Sequence, residues 1–176
     1  ASVLACREAG VDQIIVTGLA ADARKLEVAR QFGADATIDV ENEDPVQRVR
    51  ELTDGAGAEV VVDVSSYATE PITQAIDLAA PGGRVVLAGV KGFRAVPDFI
   101  SDKVVLKELS IQGAIGVTSS GYRSAIRLIE SGKHPLEAMH THEFDLRDAE
   151  LAIRTLAREV PGEESIHSCL IPENPG

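Results

Sequence analysis

The chain has 176 residues, of which 44% are apolar, and a formal net charge of -11. This length suits one domain or slightly more, and the acidic balance argues against a nucleic-acid surface, which needs a basic stripe. No run approaches the roughly 20 apolar residues of a membrane span, and Cys6 and Cys169 alone cannot build a disulfide framework or a Cys-rich zinc site. We therefore expect a cytoplasmic protein with no nucleic-acid and no membrane partner.

The first forty residues predict helix, strand, helix and strand in that order. Small residues predict a helix over 1–9, and the β-branched run Gln13–Thr17 predicts a strand. A second helix is expected over 22–32, with Asp22 as its N-cap. The next strand is expected at Ala36–Asp39.

The same alternation continues to about residue 120. Asp44 and Pro45 predict the cap and first position of a helix. Another helix is expected over 70–79. Three strands are expected at 59–63, 84–89 and 108–116, the first of them buried on both faces. Strands and helices that alternate at this spacing indicate βαβ units. The predicted fold class is α/β, a doubly wound, Rossmann-type parallel sheet with helices on both faces.

The pattern changes beyond Gly121. Two amphipathic helices, over 122–133 and 147–159, alternate with strand-like runs at 140–146 and 165–172. We interpret residues 1–120 as a partial dinucleotide-binding domain and residues 121–176 as a C-terminal segment that returns to a catalytic domain.

The start of a dinucleotide-binding domain is missing from the predicted order. In that fold a first strand leads into a G-x-G-x-x-G turn and then a helix of small residues. Residues 1–17 supply only that helix and the second strand. We expect the first strand and the phosphate loop to precede Ala1, so that the chain is a fragment that is inactive by itself.

Four stretches resemble the medium-chain dehydrogenase/reductase superfamily, in particular its zinc-dependent alcohol, polyol and threonine dehydrogenase branch. They are, in family order, KLEVARQFGADATIDV, VRELTDGAGAEVVVDVSS, AIDLAAPGGRVVLAGV and DAELAIRTL…SIHSCLIP. The resemblance implies hydride transfer between NAD or NADP and a small-molecule alcohol or carbonyl substrate, by a homodimer or homotetramer. It places the zinc ligands in an N-terminal region upstream of this chain.

Two other functions stay open at this point. A zinc-free quinone or enoyl reductase of the same superfamily shares the quoted stretches. A non-catalytic nucleotide-binding module also fits, because the chain shows no catalytic His–Asp pairing. A methyltransferase is disfavoured, since its fold has no place for the segment after Gly121.

The resemblance also points to residues for the adenosine half of the cofactor. Ala20 stands where NAD-preferring members place an acid that binds the ribose, so NADP is not excluded. Arg24 and Lys25 are candidates for the adenosine end, or simply solvated charges. His167 matches the position where relatives often have Arg or Lys against the pyrophosphate, or is an ordinary exposed strand residue.

For the nicotinamide half, the resemblance points mainly to backbone groups. Those of Ala88 and Ala114 would accept from the carboxamide amine, and the Gly116 N–H would donate to its oxygen. Ser65 is a candidate cofactor-facing hydroxyl, whereas Ser66 departs from the Gly of the family. The alternative is that the glycines in these stretches only permit tight packing.

Metal and catalytic sites are not expected within the chain. His140 and His142 share one face of a strand but do not complete a zinc site. Glu59 and Asp63 flank a buried run, and we interpret them as strand-edge residues rather than catalytic acids.

Overall fold

The computed structural model describes residues 1–172, and these residues contain seven α-helices and seven β-strands. The helices are α1 Ser2–Glu8, α2 Ala23–Gln31, α3 Pro45–Leu52, α4 Glu70–Leu78, α5 Ser101–Leu106, α6 Ser119–Glu130 and α7 Ala149–Leu156. The strands are β1 Ile15–Gly18, β2 Ala36–Asp39, β3 Ala58–Asp63, β4 Ala79–Leu87, β5 Ser110–Gly113, β6 His142–Asp145 and β7 Ser168–Ile171. Short 3₁₀ turns lie at Ala20–Asp22, Leu136–Met139 and Leu146–Asp148.

The predicted order of elements is confirmed, and the differences lie mainly at the ends of elements. Strand β4 begins at Ala79, directly after α4, and stops at Leu87 rather than at Gly89. Helix α5 was not predicted. It has six residues, no side-chain cap and two exposed apolar residues, Val105 and Leu106. A helix that short leaves no periodic apolar face in the sequence.

Helix α3 begins as its sequence predicts. The Asp44 carboxylate accepts hydrogen bonds from the N–H groups of Val46 and Gln47 at 2.9 and 3.2 Å. Pro45 occupies the first turn, where its missing N–H removes no intrahelical bond. The cap satisfies two of the four N–H groups that every helix leaves unpaired at its start.

The described residues fall into two compact units. One contains Ala1–Thr37 and the described residues from Ser119 onward, and the other contains Ile38–Thr118. Strand β2, which pairs with β1, spans the point where the chain passes from one unit to the other. The sequence-based division after residue 120 remains a prediction.

The unit formed by Ile38–Thr118 is built on a parallel sheet in the order β3–β4–β5. Its core forms where Ala75 of α4 packs with Ala79 and Val85 of β4. Val60 and Val62, which point away from that core, are 55% and 44% exposed. The expectation that β3 is buried on both faces is therefore wrong for the described residues, because α4 covers only one face of the strand.

The other unit has a second parallel pair, β6–β7, in which His142 lies opposite Ser168 and Asp145 opposite Ile171. Helix α7 packs on these strands and buries Ala152 and Thr155. Parallel pairing at β6–β7 again requires a crossover connection, which α7 supplies.

Arg7 ties the first helix to the loops around it. Its guanidinium donates to the carbonyl oxygens of Val11, Asp12 and Gly33 at 2.7, 2.8 and 2.8 Å, and it also pairs with Asp35. These bonds fix α1 against the ends of its neighbours. Within residues 1–172, no helix combines the length and apolarity that crossing a bilayer requires.

Candidate cofactor site

A buried ion pair joins the carboxyl ends of β3 and β4. Lys91 Nζ lies 2.7 Å from Asp63 Oδ2, and the two side chains are 9% and 3% exposed. The same ammonium donates to the carbonyl oxygen of Ser65 at 2.7 Å and to its Oγ at 2.9 Å. Ser65 in turn donates from Oγ and from its N–H to Asp63 Oδ1, at 2.6 and 2.9 Å. We call these three residues the Asp63–Ser65–Lys91 cluster.

The buried charge of Asp63 is neutralised by Lys91. Asp63 Oδ2 is buried and accepts no hydrogen bond of good geometry from the described residues. The ion pair with Lys91 therefore compensates the burial of that oxygen, since an unpaired buried carboxylate is strongly disfavoured. Asp63 is the last residue of β3, and the interpretation that it is not a catalytic acid stays a prediction. Lys91 was missed, because it lies 26 residues from Ser65 and no local pattern marks it.

Gly89 allows the chain after β4 to pass directly over Ser65. A Cβ added at Gly89 would lie 1.8 Å from the Ser65 carbonyl oxygen. This distance is a severe steric clash, so only glycine fits at this position. The N–H groups of Ala88 and Gly89 donate to the Asp63 carbonyl oxygen at 2.8 and 3.1 Å. Tight packing is therefore a sufficient explanation for Gly89. It does not explain Gly113, where an added Cβ would meet no atom within 4 Å.

The predicted nicotinamide contacts lie beyond the ends of β4 and β5. Ala88, Ala114 and Gly116 are all exposed, and Ala114 donates its N–H to the Leu87 carbonyl oxygen at 2.9 Å. Gly116 has φ +73° and open space where a Cβ would lie. Small, exposed residues leave the backbone accessible, so this edge of the sheet fits a ligand that hydrogen-bonds to backbone groups.

The residues predicted for the adenosine end lie after β1. Ala20 begins the 3₁₀ turn, and Arg24 and Lys25 are exposed in the first turn of α2. Arg24 donates to the Glu164 carbonyl oxygen at 3.3 Å. Together these elements line a shallow cavity, whose walls are Ala21, Arg24, Lys25, Arg158 and residues 160–166. Arg24, Lys25 and Arg158 line this cavity together with Glu163 and Glu164, and Asp22 pairs with both Lys25 and Arg158.

Asp22 does not cap α2 as the sequence predicted. It occupies the N-cap position, but its carboxylate accepts from the Leu19 N–H at 3.3 Å and pairs with Lys25 at 3.2 Å and with Arg158. Burial alone would raise the pKa of the Asp22 carboxyl, but these hydrogen bonds and the nearby Lys25 charge outweigh burial and hold the pKa below its usual value. The carboxylate is thus engaged by Lys25 of α2 and by Arg158, and it makes no cap hydrogen bond to the N–H groups at the start of the helix.

The two histidines of the HTH stretch separate in the structure. His142 directs Nε2 to Glu163 Oε2 at 3.0 Å and Nδ1 to Thr141 Oγ1 at 2.9 Å, so both ring nitrogens are engaged. His140 instead faces His167, with their Nδ1 atoms 3.3 Å apart. His167 lies just before β7, next to Ile166 of the cavity wall.

An open α/β sheet with small residues and polar groups at the carboxyl ends of its parallel strands defines a dinucleotide-binding domain of Rossmann type. Residues 1–131 match the model of a family described as zinc-binding dehydrogenase. The chain belongs to that family.

Individual relatives agree with this assignment. A probable alcohol dehydrogenase of Mycobacterium tuberculosis is 43% identical over 170 residues, which cover 96% of this chain and 46% of the relative. The structure of the alcohol dehydrogenase TADH from Thermus sp. ATN1 superposes with a TM-score of 0.83 at 23% identity, over 98% of this chain and 47% of that one. A structure described as a short chain alcohol dehydrogenase from E. coli CFT073, complexed with NADH, gives a TM-score of 0.76 at 24% identity, over 96% of this chain and 47% of that one. The chain thus spans about half the length of the relatives it matches, and the two structures support its fold.

Proposed function

We propose that this chain forms the cofactor-binding part of an alcohol or polyol dehydrogenase that transfers hydride between NAD(P) and a small alcohol or carbonyl compound. One observation carries the proposal: Ser65, Ala88 and Ala114 converge beyond the carboxyl ends of β3, β4 and β5. Open α/β sheets bind their ligands at this edge. The relationship to alcohol dehydrogenases supports the same function.

The proposed roles at the nicotinamide end follow from the hydrogen-bond donors and acceptors that each group still has available. The carbonyl oxygens of Ala88 and Ala114 accept from the carboxamide amine, and the Gly116 N–H donates to the carboxamide oxygen. The Ser65 hydroxyl already donates to Asp63 and accepts from Lys91. It has one lone pair left and no proton, so it accepts a hydrogen bond from a ribose hydroxyl rather than donating one. The nicotinamide supplies the hydride chemistry when it is bound.

The charged side chains at the adenosine end bear on the choice of cofactor. No acid stands at Ala20 to bind the ribose hydroxyls or to repel a 2′-phosphate. Arg24, Lys25 and Arg158 line the cavity, and the carboxylate of Asp22 is already paired with two of them. We therefore propose NAD or NADP as the cofactor, with Arg24 and Lys25 at the adenosine end and His167 toward the pyrophosphate.

Two further features of the whole enzyme are proposed from the family. Catalytic zinc would be held by the region of the whole enzyme that corresponds to the part of the relatives not spanned by this chain. Association into a homodimer or homotetramer would use β5, which lies at the edge of its sheet with Ser110–Gly113 all exposed. Edge-to-edge pairing across a two-fold axis would satisfy the open backbone groups of that strand.

The test uses the complete gene product that contains these 176 residues. We expect it to reduce NAD or NADP in the presence of a secondary alcohol or polyol. Ser65→Ala should weaken dinucleotide binding roughly 2- to 10-fold, the worth of one hydrogen bond, while Ser66→Ala, a change at the exposed neighbour, should have little effect. Dinucleotide binding without turnover of any alcohol would instead support a non-catalytic module.

A further inference from the structure

Two imidazoles and one thiol converge where β6 and β7 begin. His140 Nδ1 lies 3.3 Å from His167 Nδ1, and Cys169 Sγ lies 3.9 Å from the same His167 nitrogen. All three atoms lie within 4.8 Å of one another. Within the described part of the chain, this is the group in which three or more metal-ligating side chains converge. We call it the His140–His167–Cys169 cluster.

The backbone holds this cluster in place. The N–H groups of Thr141 and His142 both donate to the His167 carbonyl oxygen, at 3.1 and 3.3 Å, and Thr141 Oγ1 donates to it at 3.1 Å. Cys169 lies within β7, opposite Glu143 of β6. The three side chains therefore extend from a hydrogen-bonded pair of parallel segments, which limits how far their ligand atoms can move apart.

Two of the three separations are close to those of a tetrahedral zinc ion, and the third, between His140 and Cys169, is no more than 4.8 Å. Zinc binds imidazole nitrogen at about 2.0–2.1 Å and thiolate sulfur at about 2.3 Å, which places ligand atoms about 3.3 Å apart for two nitrogens and about 3.6 Å apart for nitrogen and sulfur. The His140–His167 distance of 3.3 Å meets the first value. The 3.9 Å between Cys169 and His167 needs only a small side-chain rotation to meet the second.

Glu143 prepares His140 as a ligand. His140 Nε2 lies 2.8 Å from Glu143 Oε1. If the ring donates its Nε2 proton to this carboxylate, the Nδ1 lone pair is free and points at His167. Metal-bound histidines are almost always oriented by such a carboxylate or carbonyl. Two Nδ1 atoms at 3.3 Å also require a proton or a cation between them, since two lone pairs repel.

We propose that His140, His167 and Cys169 bind one Zn²⁺, with Glu143 positioning His140 and a water molecule completing the coordination. A set of two imidazoles and one thiolate suits zinc and does not suit Mg²⁺ or Ca²⁺, which prefer oxygen ligands. The sequence-based expectation of no metal paired His140 with His142 and treated the two cysteines as too distant along the chain to complete a site. The structure brings in His167, 27 residues from His140, and Cys169 two residues beyond it.

This site goes beyond the proposed cofactor function, although it shares His167 with the proposed pyrophosphate contact. The two ideas are separable because zinc binding is measured without any dinucleotide. A chain that binds no zinc would leave the dehydrogenase proposal unaffected. A gene product without dehydrogenase activity would likewise leave the zinc proposal unaffected.

The experiment titrates the metal-free, reduced 176-residue chain with Co²⁺ and then with Zn²⁺. We expect a cobalt–thiolate charge-transfer band that saturates at one Co²⁺ per chain and disappears when Zn²⁺ displaces it. His140→Ala and Cys169→Ser should abolish the band, and Glu143→Gln should weaken metal affinity roughly 10- to 100-fold. Circular dichroism checks that each variant keeps its fold.

Two matched variants serve as controls. His142→Ala removes a histidine whose nitrogens are engaged by Glu163 and Thr141, and Cys6→Ser removes the other thiol. Both should leave the cobalt band unchanged. Absence of the band in the unsubstituted chain, or its survival in Cys169→Ser, would overturn the proposal.

Discussion

Removing the cation of the Asp63–Ser65–Lys91 cluster gives the most demanding test of the fold described here. Lys91→Met keeps the unbranched stem of the side chain and removes its ammonium group, which leaves the Asp63 carboxylate, 3% exposed, without its counter-ion. Ser65 still donates twice to Oδ1, whereas Oδ2 has no other hydrogen bond of good geometry from the described residues. Breaking a buried pair on one side typically costs about 3–5 kcal/mol, a large share of the roughly 5–15 kcal/mol by which a domain is stable.

Urea unfolding can measure the loss of stability in the compact unit that contains Lys91, residues 38–118. The chain has no tryptophan and two tyrosines. Tyr67 lies in the same unit as Lys91, with the Arg94 guanidinium 5.8 Å from its ring centroid. In a Tyr122→Phe background, tyrosine fluorescence therefore reports on Tyr67. With a denaturant slope of about 2 kcal/mol/M, the expected loss lowers the midpoint by about 2 M urea.

An exposed ion pair provides the control for the Lys91 variant. Lys103 Nζ lies 2.6 Å from Asp77 Oδ1, but the two side chains are 42% and 33% exposed. Lys103→Met should cost no more than about 1 kcal/mol. The double variant Asp63→Asn/Lys91→Met should recover much of the stability, because no buried charge is left unpaired. If Lys91→Met costs no more than Lys103→Met, the reasoning about burial and charge is refuted.

Three further predictions concern single contacts. Asp44→Ala should lower the free energy of unfolding by about 0.5–2 kcal/mol through loss of the α3 cap, and an unchanged urea midpoint would contradict the assigned cap. Lys107→Met should lower the free energy of unfolding by about 1.5–3 kcal/mol. The reason is that Lys107 Nζ donates to three carbonyl oxygens at the end of α4, at 2.8, 3.0 and 2.9 Å. The same urea unfolding assay measures this loss. The folded-state pKa of Asp22 is depressed, so its stabilising contribution is present above its unfolded pKa and is lost as pH falls through the folded pKa. The stability difference between the unsubstituted chain and Asp22→Asn should therefore shrink below about pH 4, and Arg158→Met should reduce it at neutral pH.

The sequence by itself determined the order of most elements and the family. These features depend on residues close together along the chain. The cap of α3 needs only Asp44 and the two N–H groups that follow within three residues. Alternating helices and apolar runs indicate parallel strands because that spacing leaves room for a crossover helix. The edge of the sheet that carries Ser65, Ala88 and Ala114 follows from the same order, because parallel strands all end at one edge.

Only the tertiary structure decided which distant side chains meet. Lys91 reaches Ser65 and Asp63 because β3 and β4 pair in one particular register, and nothing local to Lys91 encodes that register. His140 meets His167 for the same reason at β6 and β7. Asp22 likewise pairs with Arg158, which lies 136 residues further along the chain. Which partner a side chain contacts depends on the free energy of the packed structure, in which the cost of burial competes with the attraction between charges. Local propensity depends only on residues close together along the chain, so it does not predict these contacts.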